Sequence, residues 1–337
     1  MKYKHIVIPR FGGPENLLLL EDELLEPRAN EVRVKVLAAG VSFADILMRE
    51  GVHPESMNRR TPFTPGWDVV GVVDKLGDKV STWQTGQMVA ALPIVGGYAE
   101  YIFLSSNELV PVPPGLDHAE AVSLVLNYTT AYQMLHRCAH IRSGEIILIH
   151  GAAGGVGTAL LQLGKLTNLK MYGTASYRKH DIVSSLGGIP IDYKSVDLVQ
   201  EIIKLTSHDD GSEWGVDAVF DGIGGKSLKS SYEILRSGGR LVAYGPFSTT
   251  DIENWMMMFT LNLIPDKRKF ILYSIQTLKR LKPVWFHEDL ILLLNLLKQG
   301  KIKPIVGARM PLNQAAQAHE LLAGGSVKGK IVLICND

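Results

Sequence analysis

The residues best suited to chemistry form a glycine-rich stretch that reads His150-Gly151-Ala152-Ala153-Gly154-Gly155-Val156-Gly157. An apolar segment of strand length, Glu145 to His150, precedes it, and an apolar helical segment, Val156 to Leu166, follows it. Glycines let a backbone approach an anion closely, and a helix N-terminus offers free N–H groups and a positive dipole end. A turn that serves only tight packing of helix on strand is the alternative. The context favours a site for the pyrophosphate of a dinucleotide, which would lie against Ala153, Gly154, Gly155 and Val156.

Polar residues after the next predicted strand, Leu169 to Thr174, indicate which dinucleotide binds. No acid stands there before Asp181, whereas NAD sites usually place an acid at this strand end for the ribose hydroxyls. Cationic residues gather instead at the start of the next helix, where the dipole disfavours positive charge unless an anion lies among them. A solvated basic helix start is the alternative. We predict NADPH as the cofactor, with its adenosine end and 2′-phosphate among Thr174, Ser176, Arg178, Lys179 and Tyr193.

These residues need strands whose carboxyl ends meet at one edge of a sheet. Short apolar strands alternate with helix-like segments from residue 145 to 245, which is the signature of a parallel sheet with crossover helices. One strand ends at Asp221, which would face the cofactor's ribose or merely cap the following helix. The predicted strands are Glu145–His150, Leu169–Thr174, Ile189–Tyr193, Val216–Asp221 and Arg240–Gly245. The predicted helices are Val156–Leu166, Arg178–Leu186, Ser195–Leu205 and Lys226–Leu235.

The chain on either side of this region has another character. Up to about residue 125 it contains short strands broken by turns, as in the alternating segment Glu31 to Val36, which favours a β domain. After residue 266 the alternation of strand and helix ends. Helices His287–Gln299 and Asn313–Leu322 and a strand Lys330–Cys335 are predicted there.

Composition excludes several classes of protein. The 337 residues carry 35 Lys and Arg against 34 Asp and Glu, so no basic surplus indicates a nucleic-acid partner. Two cysteines, Cys138 and Cys335, cannot form a disulfide framework or a four-cysteine zinc site. No apolar run reaches the ~20 residues that span a bilayer. We therefore expect a cytoplasmic protein without a transmembrane segment, and peripheral association with a membrane stays open.

Several motifs along the chain resemble the medium-chain dehydrogenase/reductase superfamily, on its zinc-independent quinone oxidoreductase side. The resemblance covers nearly the whole length. Within that side, Asn127 to Leu135, Tyr172 to Ser176 and the C-terminal helix ending in Gly300-Lys301-Ile302-Lys303-Pro304 are most similar to the vesicle amine transport protein branch. The motifs that carry the resemblance are Gly40-Val41-Ser42-Phe43-Ala44-Asp45, Pro65-Gly66-Trp67-Asp68-Val69-Val70-Gly71, Gly96-Gly97-Tyr98-Ala99-Glu100, Thr130-Ala131-Tyr132, Ala152 to Gly157 and Gly329-Lys330-Ile331-Val332-Leu333.

The resemblance implies an α/β fold in which a Rossmann domain, a doubly wound parallel sheet, is inserted into a GroES-like β domain. The implied boundaries are residues 1–126 and 267–337 for the discontinuous GroES-like catalytic domain, and 127–266 for the NADP-binding domain. A homodimer is also predicted. The sheet must end near the predicted strand Phe270 to Tyr273, which follows the apolar segment Trp255 to Phe259, and an open apolar edge there would be an aggregation hazard unless two copies pair. The family resemblance points the same way, and an apolar segment that covers the cleft or the edge within one chain is the alternative.

The resemblance also shows what this chain lacks. Zinc-dependent members use a Cys, a His-Glu pair and a further Cys or Asp as ligands, where this chain has Ser42, Trp67 and Asp68. These residues do not supply three ligands for a tetrahedral site, so no metal is expected.

The resemblance further implies which residues surround the reacting groups. Thr130, Gly245, Phe247 and Ser248 would lie near the nicotinamide half, and Ser42, Phe43 and Asn127 around the cleft. Ser42 departs from the family's usual Asn, which leaves ribose or nicotinamide contacts there open. Asp45 is a polar anchor or a cap of the helix Asp45 to Arg49. Lys330 approaches the cofactor or is solvated. Tyr128 and Tyr132 could protonate an enolate by their chemistry alone, with core packing as the alternative, so no catalytic residue is assigned.

Three functions compete. The leading one is an NADPH-dependent reductase that transfers hydride to a quinone or an α,β-unsaturated carbonyl substrate. The second is an NADPH-binding scaffold or interaction protein with little turnover. The third is reduction of an acyl-thioester enoyl group, which would need a basic channel for a carrier or CoA that the sequence does not reveal.

Overall fold

The structure, a computed structural model, describes residues 1–57, 59–207, 213–245, 256, 259–260, 263 and 267–335. Its strands are β1 Lys2–Val7, β2 Leu18–Glu23, β3 Glu31–Val41, β4 Val69–Leu76, β5 Met88–Ala91, β6 Tyr101–Ser105, β7 Val110–Pro111, β8 Ile146–Ile149, β9 Lys170–Ala175, β10 Ile189–Asp192, β11 Val216–Asp221, β12 Leu235–Ala243, β13 Lys269–Leu272, β14 Val306–Pro311 and β15 Lys330–Ile334. Its α-helices are α1 Phe43–Glu50, α2 Pro54–Met57, α3 His118–Ser123, α4 Thr129–Tyr132, α5 Gly155–Leu166, α6 His180–Ser185, α7 Leu198–Thr206, α8 Lys226–Glu233, α9 Ile275–Leu281, α10 Pro283–Lys298 and α11 Ala315–Ala323.

Contacts divide the chain into two units. One comprises Met1–Thr129 with Lys279–Asp337, and the other is Thr130–Leu278. This division differs from the expected boundary at residue 266, because β13 pairs in parallel with β12 and so stays in the second unit. The assignment of domain roles remains a prediction.

The discontinuous unit is built on a sheet in the order β14-β15-β3-β4-β5-β7, with β6 also on β3. Strand β3 alternates as its sequence predicts, and Val32, Val34 and Val36 are buried. Its last residues are buried without alternation. The strands β15 and β4 pair with its two edges there, and helix α3 contacts it. The segment that returns from the second unit therefore supplies a central strand of the first.

The second unit is a parallel sheet in the order β10-β9-β8-β11-β12-β13. Its central strand β8 is apolar throughout, and Ile147, Leu148 and Ile149 have no exposed surface because helices cover both faces of such a sheet. The chain leaves β8 first to one side and then to the other, so the order reverses between β8 and β11. Ligands bind parallel sheets at the carboxyl ends beside such a switch point. The predicted α/β class with a doubly wound parallel sheet is confirmed.

No α-helix in the described ranges is both long enough and apolar enough to span a membrane.

Candidate functional site

The glycine loop joins β8 to α5 beside the switch point, and two of its glycines are fixed by geometry. Gly151 has φ +63°, in the left-handed region that side chains disfavour. A Cβ on Gly157 would lie 2.4 Å from the carbonyl oxygen of Gly151. The loop can fold back on its own helix only because residue 157 has no side chain.

The start of α5 is open to an anion. Its N-cap is Gly154, which has no side chain to cap the helix, and the N–H groups of Gly155, Val156 and Gly157 have no partner within the helix. The helix dipole adds positive potential at the same point. The predicted pyrophosphate residues are thus brought together, and the loop fits a dinucleotide.

The carboxyl end of β9 carries the predicted basic group. Ser176 starts a short turn whose side chains include the exposed Arg178 and the half-buried Lys179. Strand β10 pairs with β9 in parallel, with Asp192 opposite Ala175. The half-exposed Tyr193 therefore follows β10 beside Ser176. The structure brings all of these residues to one edge of one sheet.

A buried network that the sequence did not reveal lies beneath the loop. The His150 ring lies 2.9 Å by Nε2 from Ser231 Oγ and 3.4 Å by Nδ1 from Thr174 Oγ1. Ser231 donates to Asp221 at 2.8 Å, and Gly151 N–H donates to Thr174 Oγ1 at 3.2 Å. The hydrogen-bonded pairs are 81, 24, 10 and 23 positions apart in the sequence, in no regular pattern, so only the fold assembles them.

Asp221 accepts hydrogen bonds both from this network and from the turn that follows it. Its carboxylate accepts from the N–H groups of Ile223 and Gly224 and from both Ser227 and Ser231. Burial alone would raise its pKa, but the neighbouring His150 and these hydrogen bonds keep the pKa below its usual value. Asp221 has no exposed surface, so the geometry fits the capping alternative rather than a ribose contact.

Phe247 and Ser248, which are expected near the nicotinamide, lie outside the described residues. Gly245 is the last residue described before them. Gly245 is exposed and has φ +83°. Thr130, at the start of the second unit, is 5% exposed.

In the other unit, Ser42 and Asp45 form a capping box at the start of α1. Ser42 Oγ donates to Asp45 Oδ2 at 2.6 Å, and the N–H of Gly66 donates to Asp45 Oδ1 at 3.1 Å. The cap itself is Ser42, and the helix begins at Phe43 rather than at Asp45. Asp45 therefore acts as a cap partner, which is the second of the two expected roles.

Lys330 is buried, so the solvated alternative for it is wrong. Its Nζ donates to Asp68 Oδ1 at 3.2 Å and lies 2.9 Å from Oδ2. Gly40 leaves the room for this pair, because a Cβ there would lie 2.3 Å from Lys330 Cε and 2.4 Å from Asp68 Oδ2. Whether Lys330 also approaches a cofactor remains a prediction.

Two buried carboxyl groups thus lie near one ammonium. The pKa of Asp45 is raised to about 7, chiefly by burial, with the hydrogen bond from Ser42 opposing the rise and the carboxylate of Asp68 adding to it. Burial also raises the pKa of Asp68, against the pull of Lys330. Asp68 is paired with Lys330, Asp45 accepts from Ser42 and Gly66, and the indole of Trp67 donates to Met48. Within the described ranges, no group of three or more His, Cys, Asp or Glu side chains is placed to hold a metal ion.

The remaining residues expected around the cleft differ in how far they are buried. Phe43 is half-exposed, whereas Asn127 and Tyr128 are buried. The Tyr128 hydroxyl meets no hydrogen-bond partner among the residues described, and burial raises its pKa. Tyr132 packs its ring 4.5 Å from that of His136. These burials favour core packing for Tyr128, and no described side chain stands out as a proton donor.

Two protein-family models match this chain, one mainly in each half of the sequence. A family model for the alcohol dehydrogenase GroES-like domain matches residues 28–114, and one for zinc-binding dehydrogenases matches residues 188–333. The expectation of a GroES-like domain beside a Rossmann sheet is confirmed.

Whole-chain relatives extend this match. The quinone oxidoreductase of Mus musculus is 32% identical over 96% of this chain and 95% of its own. A synaptic vesicle membrane protein VAT-1 homolog of Danio rerio is 31% identical over 98% of this chain and 70% of its own. The Escherichia coli quinone oxidoreductase, solved in complex with NADPH, is 26% identical, covers 98% of this chain and 99% of its own, and has a TM-score of 0.88. This chain therefore belongs to the medium-chain dehydrogenase/reductase superfamily of oxidoreductases, on its quinone oxidoreductase side and close to the VAT-1 branch.

Proposed function

We propose that the protein is an NADPH-dependent reductase that transfers hydride to a quinone or an α,β-unsaturated carbonyl. The observation that carries this proposal is the pairing of an open helix start at Gly154 with a basic, acid-free strand end at Ser176 to Lys179, both on one sheet edge. The nicotinamide supplies the hydride when bound. The chain's own residues then bind the two phosphate groups and orient the cofactor.

The preference for NADPH follows from charge at the end of β9. Arg178 and Lys179 can donate to a 2′-phosphate, and no acid occurs in the sequence from Thr174 to His180, where NAD sites usually place one. We expect Lys179→Ala to weaken NADPH binding about 10-fold and to leave NADH binding within about 2-fold, because only NADPH loses a charge-assisted hydrogen bond.

The measurement is titration calorimetry of both cofactors with the unaltered protein and the variant. Lys165→Ala, an exposed lysine in the last turn of α5, removes the same charge away from the proposed phosphate and controls for overall electrostatics. Equal affinity of the unaltered protein for NADPH and NADH would contradict the proposal.

The acceptor is tested by following NADPH oxidation against a panel of quinones and enones, with acyl-thioester enoyl substrates in the same panel. Turnover of a quinone or an enone is the expected result. Tight NADPH binding without turnover of any acceptor would instead favour a scaffold that binds the cofactor. Turnover confined to the acyl-thioesters would favour enoyl reduction.

We further propose that the reaction needs no zinc. Ser42 and Trp67 offer no ligand suited to zinc, and Asp68 is already neutralised by the ammonium of Lys330. With no disulfide framework and two free thiols, Cys138 and Cys335, we place the protein in the cytoplasm.

A further inference from the structure

His150 lies at the point where the parallel sheet reverses its order. Strand β8 lies between β9 and β11, and His150 is the first residue after it. Its backbone N–H donates to Phe220 of β11, and the N–H of Ala152 donates to Thr174 of β9, each at 3.0 Å. The start of the glycine loop is thus tied to both neighbouring strands.

The hydrogen bonds of the His150 ring have a definite direction. Asp221 is held as a carboxylate, so Ser231 Oγ donates to it and must accept from His150 Nε2–H. In the neutral ring the other nitrogen, Nδ1, carries no proton and accepts from the hydroxyl of Thr174. Thr174 Oγ1 in turn accepts from the N–H of Gly151. One chain of donors therefore runs from the glycine loop to the carboxylate at the end of β11.

The His150 ring is neutral at neutral pH, as this direction of hydrogen bonds requires. His150 is 7% exposed, and burial lowers its pKa although the Asp221 carboxylate opposes the change. Asp221 is the charged group that faces it from β11, with Oδ2 at 3.9 Å from Nε2. Thr174 from β9 and Ser231 from α8 face it with hydroxyls that do not titrate, and the Tyr244 phenol faces Asp221 in its neutral form.

We propose that neutral, Nε2-protonated His150 is a positioning residue for the cofactor, which fixes the glycine loop relative to the turn after β11. The proposal rests on nicotinamide binding as proposed above. The free N–H groups at the start of α5 bind phosphates well only at correct distances, and an error of about 1 Å is costly. The His150 ring joins Thr174 of β9 to Ser231 of α8. The backbone bonds of His150 and Ala152 to the flanking strands remain without the ring, so removing it should let the loop shift without unfolding the sheet.

The test compares His150→Leu, which removes both ring hydrogen bonds, with His150→Gln, whose amide can accept from Thr174 and donate to Ser231. We expect NADPH affinity to fall about 10- to 30-fold in His150→Leu and to stay within about 3-fold of the unaltered protein in His150→Gln. Binding is followed by the fluorescence of NADPH, so no turnover is needed.

Thr206→Val is the matched control for a merely structural role. Thr206 is fully buried in the same unit, donates to Ile202 and accepts from Gly215. Its substitution loses a buried hydrogen bond far along the sequence from the loop. We expect Thr206→Val to lower the free energy of unfolding while leaving NADPH affinity unchanged.

Two further readouts separate the outcomes. Nitrogen-15 NMR of the histidine side chains at pH 7 should show the Nε2–H tautomer for His150. On acidification below the ordinary histidine pKa, NADPH affinity should decrease more steeply in the unaltered protein than in His150→Gln. Unchanged NADPH affinity in His150→Leu, or an Nδ1–H tautomer, would overturn the inference and leave the proposed function intact. Failure of the unaltered protein to bind any nicotinamide cofactor would overturn both.

Discussion

Asp45, Asp68 and Lys330 are buried together, and three charges cannot balance there if both carboxyl groups are ionised. The ammonium neutralises Asp68 at contact distance. Asp45 instead accepts from Ser42 and Gly66 and, with a pKa of about 7, holds a proton in much of the neutral range. The cap role of Asp45 was predictable from local spacing, because a capping box needs only residues 42 to 45. The Asp68–Lys330 pair joins residues 262 positions apart, so no local pattern predicts it.

At the residue scale, Asp45→Asn should flatten part of the pH dependence of stability. The pKa of Asp45 is about 7 in the folded protein and 3.8 unperturbed. Its contribution to stability is therefore complete below pH 3.8 and is lost as pH rises toward 7. Relative to Asp45→Asn, the unaltered protein should lose up to about 4 kcal/mol between pH 4 and 7.

Urea unfolding at a series of pH values measures this difference. Asp78→Asn changes an exposed aspartate of the same unit and serves as the control. A constant difference between Asp45→Asn and the unaltered protein over this range would show that Asp45 stays ionised in the fold.

At the scale of elements, apolar periodicity predicted the strands and helices of the Rossmann sheet to within about three residues, except that β12 begins at Leu235 rather than at Arg240, because Ser237-Gly238-Gly239 interrupts its apolar pattern. Periodicity also failed where a terminus depends on one residue's chemistry. The long C-terminal helix begins at Pro283, before the predicted His287, because proline is well suited to the first helical turn. Among site residues, the glycine loop and the basic strand end were predictable because each is continuous in sequence. The His150 network was not, because its members come from three strand ends and a helix.

The glycine loop gives an element-scale prediction. Gly157→Ala should lower the free energy of unfolding by about 2–3 kcal/mol, because its Cβ would lie 2.4 Å from Gly151 O and 2.6 Å from Ala152 Cα, both backbone atoms. Gly324→Ala, at the end of another helix where the nearest atom is 3.4 Å away, should be nearly neutral. Chemical denaturation checks both, and equal stability of the two variants would contradict the packing argument.

At the scale of the whole molecule, the parallel sheet ends at β13 among the described strands, and Leu272 is 46% exposed there. An open, partly apolar edge is an aggregation hazard. We propose that two copies pair at this edge about a twofold axis. The apolar stretch expected to join the interface falls mostly outside the described residues, which include Met256 and Phe259, both exposed, but not Trp255, Met257 or Met258.

Proline substitutions at neighbouring positions test the dimer. Tyr273 N–H donates to Ala243 of β12, so the alternate N–H of Ile271 also faces β12 and that of Leu272 faces the open edge. Leu272→Pro should therefore give folded monomers, whereas Ile271→Pro should destabilise the unit itself. Light scattering and circular dichroism distinguish the two. A monomeric unaltered protein at micromolar concentration would contradict the dimer.

Metal content is a second property of the whole molecule. We expect elemental analysis of the purified protein to find no stoichiometric zinc, and chelators to leave the melting temperature unchanged, because Asp68 is paired with Lys330. One tightly bound zinc per chain would contradict the zinc-free proposal.

The pairing of Lys330 with Asp68 also sets an order of events during synthesis. The ribosome makes the aspartate 262 residues before its cation, a delay of about 13–50 s at about 5–20 residues per second. Until then Asp68 has no counter-ion with which to be buried, and β3 lacks the strand β15 that flanks it in the finished sheet. The contiguous unit, Thr130–Leu278, faces no such delay. The part of the chain made first must therefore complete its fold last.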